Sequence, residues 1–350
     1  MVRRFAFAVP GDLATPTGGY AYDRRMIAEL ERLGWHGDVV DLGKGFPWPS
    51  SEQSETAVAL LSAVPAGRII VVDGLALGVL PDAAHQLRSR NPLIALVHHP
   101  LAFETGLTEQ QSNVMRTSER AALAAVSRVV VTSAATARQL VDDYAVPPGS
   151  ITVARPGNDP MPMAQGSSDG IVRLLSVGAV VPRKGFDVLI AAFATLADLP
   201  WRLTIAGDRT RNPITAAQLD AEIARFKLAD RVAVLGAVPA EQLEQLYVDA
   251  DLFVLASRFE GYGMAYAEAI AHGLPVIGTN AGAIPDTVPP GAGVLVAADD
   301  VNALARALRQ TIENRDERRR LAASAREAAR LLPTWQDSAK LFSGVLEALA

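Results

Sequence analysis

Arg183 and Lys184 stand side by side in the segment GAVVPRKGF (178–186), after an apolar run and before a helical pattern that opens near Gly185. Two fixed cations beside a helix N-terminus can receive a diphosphate, because the unpaired backbone N–H groups and the helix dipole add to the side-chain charge. A solvated basic turn is the alternative reading of the pair alone. A second segment, RFEGYGMAYAEAIAHGLPVIGTNAGAIPD (258–286), holds Glu260 in a glycine-containing loop and Glu268 in the helix that starts near Gly263. Gly261 and Gly263 let backbone approach a ligand closely, and the first N–H groups of that helix point at whatever sits there. Ala267 and Ala269 flank Glu268 and leave room around it. A loop carboxylate can accept hydrogen bonds from sugar hydroxyls, and a helical one can take the two hydroxyls of a ribose. A lone Glu reads as surface or a cap; the loop, the glycines and the small-residue helix together favour the ligand.

Three further places bear on chemistry. Thr17-Gly18-Gly19 follows the first apolar run and reads as a glycine loop leading into a helix that begins around Tyr20, with a plain turn as the alternative. His98 and His99 follow the run LIALVH, and the sequence places no third ligand that would make them a metal site. Asp208 lies just beyond the run RLTIAG, where it is a lesser candidate for lining the same ligand site. Asp249-Ala250-Asp251 has the Asp-x-Asp form of some metal sites, but it stands at the entrance of the run DLFVLAS, so its carboxylates read as structural caps.

These residues share one kind of location. Short Val, Ile and Leu runs that are apolar throughout alternate with helical patterns, as parallel strands buried on both faces do. Six such runs occur between RFAFAV (4–9) and ITVARP (151–156), and six more between VRLLSVG (172–178) and GVLVAA (293–298). In open α/β sheets ligands bind beyond the carboxyl ends of the strands, where all of the candidates except the Asp-x-Asp pair fall. The Pro-, Gly- and Ser-rich segment 156–170 separates the two series and reads as a linker. The expected fold is therefore α/β with two doubly wound, Rossmann-like domains, residues 1–160 and 171–333, followed by a helix over 334–350 that packs back toward the first domain. The Arg-rich stretch RDERRRLAASAREAARLL reads as a solvated helix face because acids are interleaved with its bases.

Bulk properties exclude several classes. The net charge is −5, and residues 1–160 carry 14 Lys and Arg against 16 Asp and Glu, so no basic half suggests nucleic acid. The chain contains no cysteine, which rules out thiolate metal sites and cysteine nucleophiles and fits a reducing, cytoplasmic compartment. The opening MVRRFAFAVPGD is read as a first strand, since its apolar run stops at Pro10. No run reaches the length of a membrane span, and peripheral contact with the inner face of a membrane is left open.

The segments GAVVPRKGFDVLIAAF and SRFEGYGMAYAEAIAHGLPVIGTNAGAIPD resemble the retaining glycosyltransferases of family 4 (group 1), which have the GT-B fold, and Glu260 and Glu268 match that family's Glu-x7-Glu signature. The resemblance implies two sheets facing an interdomain cleft, with the acceptor on the N-terminal side and the donor on the C-terminal side. It implies a metal-independent hexosyltransferase that needs no cofactor and moves a sugar from a UDP- or GDP-sugar to a hydroxyl of a lipid-linked, oligosaccharide or small-molecule acceptor. Carried over by position, Arg183 and Lys184 hold the diphosphate, Glu268 the ribose and Glu260 the transferred sugar. Gly261, Tyr262, Gly263 and Met264 add backbone contacts, Gly18 and Gly19 approach the phosphates, and one of the histidines, His98 preferred, hydrogen-bonds the sugar. Asp286 stands where many relatives have Glu, and Arg258 stands where Pro is common. A sugar-nucleotide epimerase of the same architecture and a non-catalytic nucleotide-sugar binder are the competing readings.

Overall fold

The computed structural model describes residues 3–15, 17–104 and 106–350. The chain divides into two compact units, Met1–Gly157 with Pro333–Ala350, and Asn158–Leu332. Both are parallel α/β units of the Rossmann type, as the GT-B fold requires.

In the first unit the elements run β1 (Arg3–Val9), α1 (Gly18–Arg32), β2 (Trp35–Asp41), α2 (Ser51–Ser62), β3 (Ile69–Asp73), α3 (Gly74–Leu77), α4 (Pro81–Leu87), β4 (Leu93–Val97), α5 (Glu109–Leu123), β5 (Arg128–Val131), α6 (Ala134–Tyr144) and β6 (Ile151–Val153). The sheet order is β2-β1-β3-β4-β5-β6, with every pairing parallel. β3 and β4 are buried along their whole length, which is why their sequences do not alternate. Helix starts follow the expected chemistry: Ser50 and Thr108 each form a reciprocal capping box with the glutamine three residues on, and Thr17 caps α1 through Tyr20 N.

The second unit runs β7 (Val172–Val177), α7 (Phe186–Ala194), β8 (Trp201–Ala206), α8 (Pro213–Arg225), β9 (Val232–Gly236), α9 (Ala240–Asp249), β10 (Leu252–Val254), α10 (Met264–Ala271), β11 (Val276–Thr279), α11 (Ile284–Thr287), β12 (Gly293–Val296), α12 (Val301–Glu313) and α13 (Arg315–Ala329). Its order is β12-β11-β10-β7-β8-β9, so the winding reverses between β7 and β10. All pairings are parallel, but the chain adds strands outward from β7 first through β8 and β9 and then on the other side through β10, β11 and β12, so the loops leaving β7 and β10 have no crossover helix between them. The segment with linker composition is tied to this unit from residue 158 on: Ala164 N donates to His272 O at 2.7 Å, Gln165 N to Val248 O at 2.9 Å and Ser167 N to Asp251 Oδ1 at 3.0 Å. Its Pro and Gly content therefore serves a fixed irregular path past the end of α9, the end of α10 and the entrance of β10.

The last helix, α14 (Trp335–Glu347), belongs to the first unit. Its face Trp335, Ala339, Phe342, Val345 and Leu346 recurs at helical spacing and joins Phe5, Phe7, Tyr22, Met26 and Leu30 in one apolar cluster. Trp35 Nε1 donates to Ser343 Oγ at 3.0 Å, and Tyr22 Oη to Ala154 O at 2.9 Å, so the polar atoms of this interface are satisfied. No helix among the described residues is long and apolar enough to cross a membrane. Phe342 is fully buried. Phe342→Ala is expected to destabilise the first unit by about 3–5 kcal/mol through lost burial and the cavity left behind, read from the early transition in urea unfolding followed by tryptophan fluorescence; a loss under about 1 kcal/mol would mean that α14 is not part of that core.

Candidate functional site

In the second unit the pairing of Leu252 with Leu174 and Phe253 with Leu175 brings the carboxyl ends of β7 and β10 side by side. The loop from β7 closes in a 3₁₀ turn, Pro182–Lys184, and Gly185 then turns left-handed (φ 64°) to start α7. A Cβ at Gly185 would lie 2.0 Å from Ala256 O, so only glycine lets the β7 loop rest on the β10 loop. Arg258 joins the same two loops. Its N–H donates to Arg183 O at 2.8 Å, its Nη1 to Pro182 O at 2.6 Å, and its guanidinium pairs with Asp187 at 2.7 Å and Asp299 at 2.7 Å.

Arg183, Lys184 and Glu260 meet at this junction. Arg183 Nη1 donates to Phe259 O at 2.6 Å and to Glu260 Oε2 at 3.0 Å, while Lys184 Nζ reaches Glu260 Oε1 at 2.6 Å. Ser257 Oγ donates to the same Oε1 at 2.6 Å. Burial opposes ionisation of Glu260, but the charges of Lys184 and Arg183 outweigh it and hold its pKa down at about 2. Burial also lowers the pKa of Lys184, with the Glu260 charge acting against that. Two cations share this one carboxylate, and the charge of Glu268 also acts on Lys184; held in place and partly desolvated, they can receive a further anion.

Beside it, Gly263 (φ 90°) caps α10 without a side-chain hydrogen bond, and Met264 opens the helix. Gly261 and Tyr262 lead into this turn, where Thr287 Oγ1 donates to Tyr262 O. Glu268, one and a half turns along α10, has its pKa raised by burial, against a hydrogen bond from Tyr247 (Oη to Oε2, 3.0 Å) and the charge of Lys184. Asp208 engages its own loop: Oδ1 accepts from Thr210 N and Oγ1, both at 2.7 Å, and its carbonyl accepts from Val180 N at 2.8 Å. The Asp249-Ala250-Asp251 carboxylates are structural: Asp251 accepts from Ser167 N and Arg173 N, and Asp249 from Gln245 Nε2.

In the first unit Gly18 and Gly19 are the first two residues of α1 and not a loop before it, because the Thr17 side chain starts the helix two residues earlier than the glycines suggest. The absence of a side chain at Gly19 has a use: a Cβ there would touch the His98 ring at 3.4 Å. One turn later on the same face, Asp23 Oδ1 lies 3.1 Å from His98 Nε2, and Asp73 Oδ2, at the end of β3, lies 3.8 Å from it. Tyr22 meets the ring edge-on, with centroids 5.4 Å apart. His99 pairs separately with Glu104 at 3.1 Å. The sequence offered His98 no partners, whereas the fold supplies two buried carboxylates. Among the described residues Asp23, Asp73 and His98 are also the set whose ligand atoms, all within 4.8 Å of one another, have the type and spacing to take a cation.

Asp23, Asp73, Tyr247, Ser257 and Arg258 thus belong to the two clusters without having been singled out for them. Asp73 and Ser257 carry a legible signal, since both stand at or just beyond strand carboxyl ends. Asp23 and Tyr247 carry none, because each reaches its partner across the fold from a helix whose local pattern gives no sign of it.

Burial, with the Asp23 charge added and His98 opposing, raises Asp73 from 3.8 to about 7. For His98 burial acts downward, but the Asp23 and Asp73 charges win and raise it from 6.5 to about 8. Both groups bind protons more tightly when folded, so the Asp73 contribution falls as pH rises from about 4 to 7, and the His98 contribution, full below 6.5, is lost through pH 8. The first unit is expected to unfold at lower urea at pH 8 than at pH 5, and Asp73→Asn to shrink that difference. An unchanged difference in the variant would show that the cluster does not titrate this way.

Two family models together match nearly the whole chain, "Glycosyltransferase Family 4" over residues 25–161 and "Glycosyl transferases group 1" over residues 163–328. Curated relatives include a D-inositol 3-phosphate glycosyltransferase of Nocardia farcinica, 33% identical over 59% of this chain and 49% of the relative. Another is an MMP alpha-(1->4)-mannosyltransferase of Mycolicibacterium hassiacum, 26% identical over 73% of this chain and 65% of the relative. The match thus spans about half to two thirds of these relatives' length. Among solved structures, sucrose-phosphate synthase from Thermosynechococcus elongatus superposes with a TM-score of 0.83 at 22% identity, covering 99% of both chains. Anabaena Alr3699/HepE in complex with UDP-glucose does so with 0.78 at 19% identity, again covering 99% of both. With a parallel α/β unit under each family model and the Arg183, Lys184, Glu260 and Glu268 signature gathered at one switch point, the chain belongs to the group 1 glycosyltransferases of family 4, with the GT-B fold.

Proposed function

We propose that this protein is a retaining glycosyltransferase of the hexosyl type, using a UDP- or GDP-sugar as donor and a hydroxyl compound as acceptor without a metal ion. The observation that carries the reading is the pair of partly buried cations, Arg183 and Lys184, held on one buried carboxylate at the reversal of the second sheet. The hard step in such a transfer is cleavage of the bond from the anomeric carbon to the diphosphate oxygen, which leaves negative charge on that oxygen. Preorganised cations in a site shielded from water stabilise that charge without reorganising at the moment of reaction. They fill the part that Mg²⁺ takes in other phosphate chemistry.

Glu268 takes the ribose, and the turn from Gly261 to Met264 offers backbone N–H groups to sugar and phosphate. Glu260 accepts from hydroxyls of the transferred sugar; its ion pairs fix the carboxylate in place and keep it ionised, so it is an acceptor at any physiological pH. Acceptor recognition is assigned to the first unit, where His98 donates to a sugar hydroxyl. Retention requires the acceptor oxygen to attack on the face the diphosphate leaves: the acceptor O–H bond breaks, its oxygen bonds to the anomeric carbon, and the departing phosphate oxygen takes the proton. No separate protein base is needed. That Anabaena Alr3699/HepE has been solved in complex with UDP-glucose supports a UDP-sugar as the first donor to try. The absence of cysteine fits a reducing compartment.

The epimerase alternative differs in one outcome, since it would rearrange the donor with no acceptor present. In a transfer assay Lys184→Ala is expected to lower turnover on the order of a hundredfold or more; retained turnover with the physiological donor would refute the diphosphate role. Dialysis against EDTA is expected to leave transfer intact, and loss of activity restored by Mn²⁺ would overturn the metal-free reading and direct attention to the Asp23, Asp73 and His98 set.

A further inference from the structure

The carboxylate of Glu268 does not stand alone. Tyr247, in the last turn of α9, is buried at 2% exposure, and its hydroxyl reaches Glu268 Oε2 at 3.0 Å. The ring has no freedom to leave. His272 stacks on it, with centroids 4.7 Å apart and planes 10° from parallel, and Phe253 lies 6.3 Å away at 22°. His272 is fixed in turn, its Nδ1 donating to Pro162 O at 2.7 Å. A phenylalanine would fill the same space, so packing does not explain the hydroxyl. A buried hydroxyl is retained at a cost unless it has a partner, and the short contact here is to the carboxylate.

We propose that Tyr247 is a positioning residue for nucleotide recognition: its hydroxyl clamps one oxygen of Glu268 so that the other faces the ribose hydroxyls of the donor. This rests on the reading of Glu268 as the ribose acceptor. The clamp matters twice. It fixes the carboxylate plane, which a flexible glutamate side chain on a helix would otherwise leave free to rotate, and a pair of vicinal hydroxyls is only engaged by an acceptor held in one orientation. It also gives the ionised form a donor in a place where burial favours the protonated one. Lys184, the other charged group acting on Glu268, supports the ionised form but cannot set the plane.

The experiment is a calorimetric comparison of ribo and 2′-deoxy nucleotides, UDP against 2′-deoxy-UDP and GDP against 2′-deoxy-GDP, on the full chain. The wild type is expected to prefer one ribo form on the order of tenfold or more, as a hydrogen bond to a charged acceptor gives. Glu268→Ala should erase that preference, and Tyr247→Phe should reduce it to about threefold or less while the melting temperature shows the fold intact. His272→Phe, which keeps a ring on Tyr247 and keeps its hydroxyl, should preserve the preference. If the wild type shows no ribo preference, or Glu268→Ala retains it, the ribose reading of Glu268 falls and the inference with it. If Glu268→Ala erases the preference but Tyr247→Phe keeps it in full, only the positioning role is overturned. Equal loss in His272→Phe and Tyr247→Phe would reduce Tyr247 to a packing element and also overturn it.

Discussion

One buried carboxylate shared by two partly buried cations organises the carboxyl edge of the second unit's sheet. Glu260 could not stay ionised in so dry a place alone, and Lys184 could not keep its proton easily there without it. The contact exists because the sheet reverses its winding between β7 and β10, which puts two outgoing loops next to each other with no helix between them. Everything else at the junction protects that arrangement. Gly185 allows the loops to touch, Arg258 bonds both, and Ser257 completes the shell around the carboxylate. A buried ion pair of this kind contributes little to net stability once desolvation is counted. Its value is a pair of cations held in one geometry before any anion arrives.

The same logic appears with opposite sign in the first unit. Asp23 and Asp73 bring two carboxylates to one imidazole, and the conflict is resolved by proton uptake on Asp73 and His98. Glu119, which holds Leu101 N at 2.9 Å, is likewise pushed up by burial to about 8. The loop after β4 is thus set among groups whose charge depends on pH, whereas the junction after β7 and β10 is held by an acid with its pKa near 2.

The sequence was most readable where local patterns carry the information. Apolar runs marked the central strands most clearly, as in β3 and β4, which are covered on both faces, whereas the edge strand β2 carries His36, Asp38 and Asp41 and is half exposed; the carboxyl edge of each sheet followed from strand direction alone. Arg183, Lys184, Glu260 and Glu268 were legible because glycines and strand ends surround them. What stayed hidden depends on side chains converging from distant elements. Nothing near Asp23 reveals that it faces His98, and Tyr247 looks like any aromatic on an amphipathic helix. The start of α1 at Gly18 was misjudged because glycines argue for a loop, while a threonine cap outweighed them. The linker composition of 156–170 similarly gave no sign of the backbone hydrogen bonds that hold its later part to the second sheet.

The return of α14 to the first unit has a consequence for synthesis. The apolar face formed by Phe5, Phe7, Tyr22 and Met26 waits for Trp335, Phe342 and Leu346, more than three hundred residues downstream. A chain emerging N-terminus first therefore exposes an unfinished core while the whole of Asn158–Leu332 is made, and the unit encoded first is the one completed last.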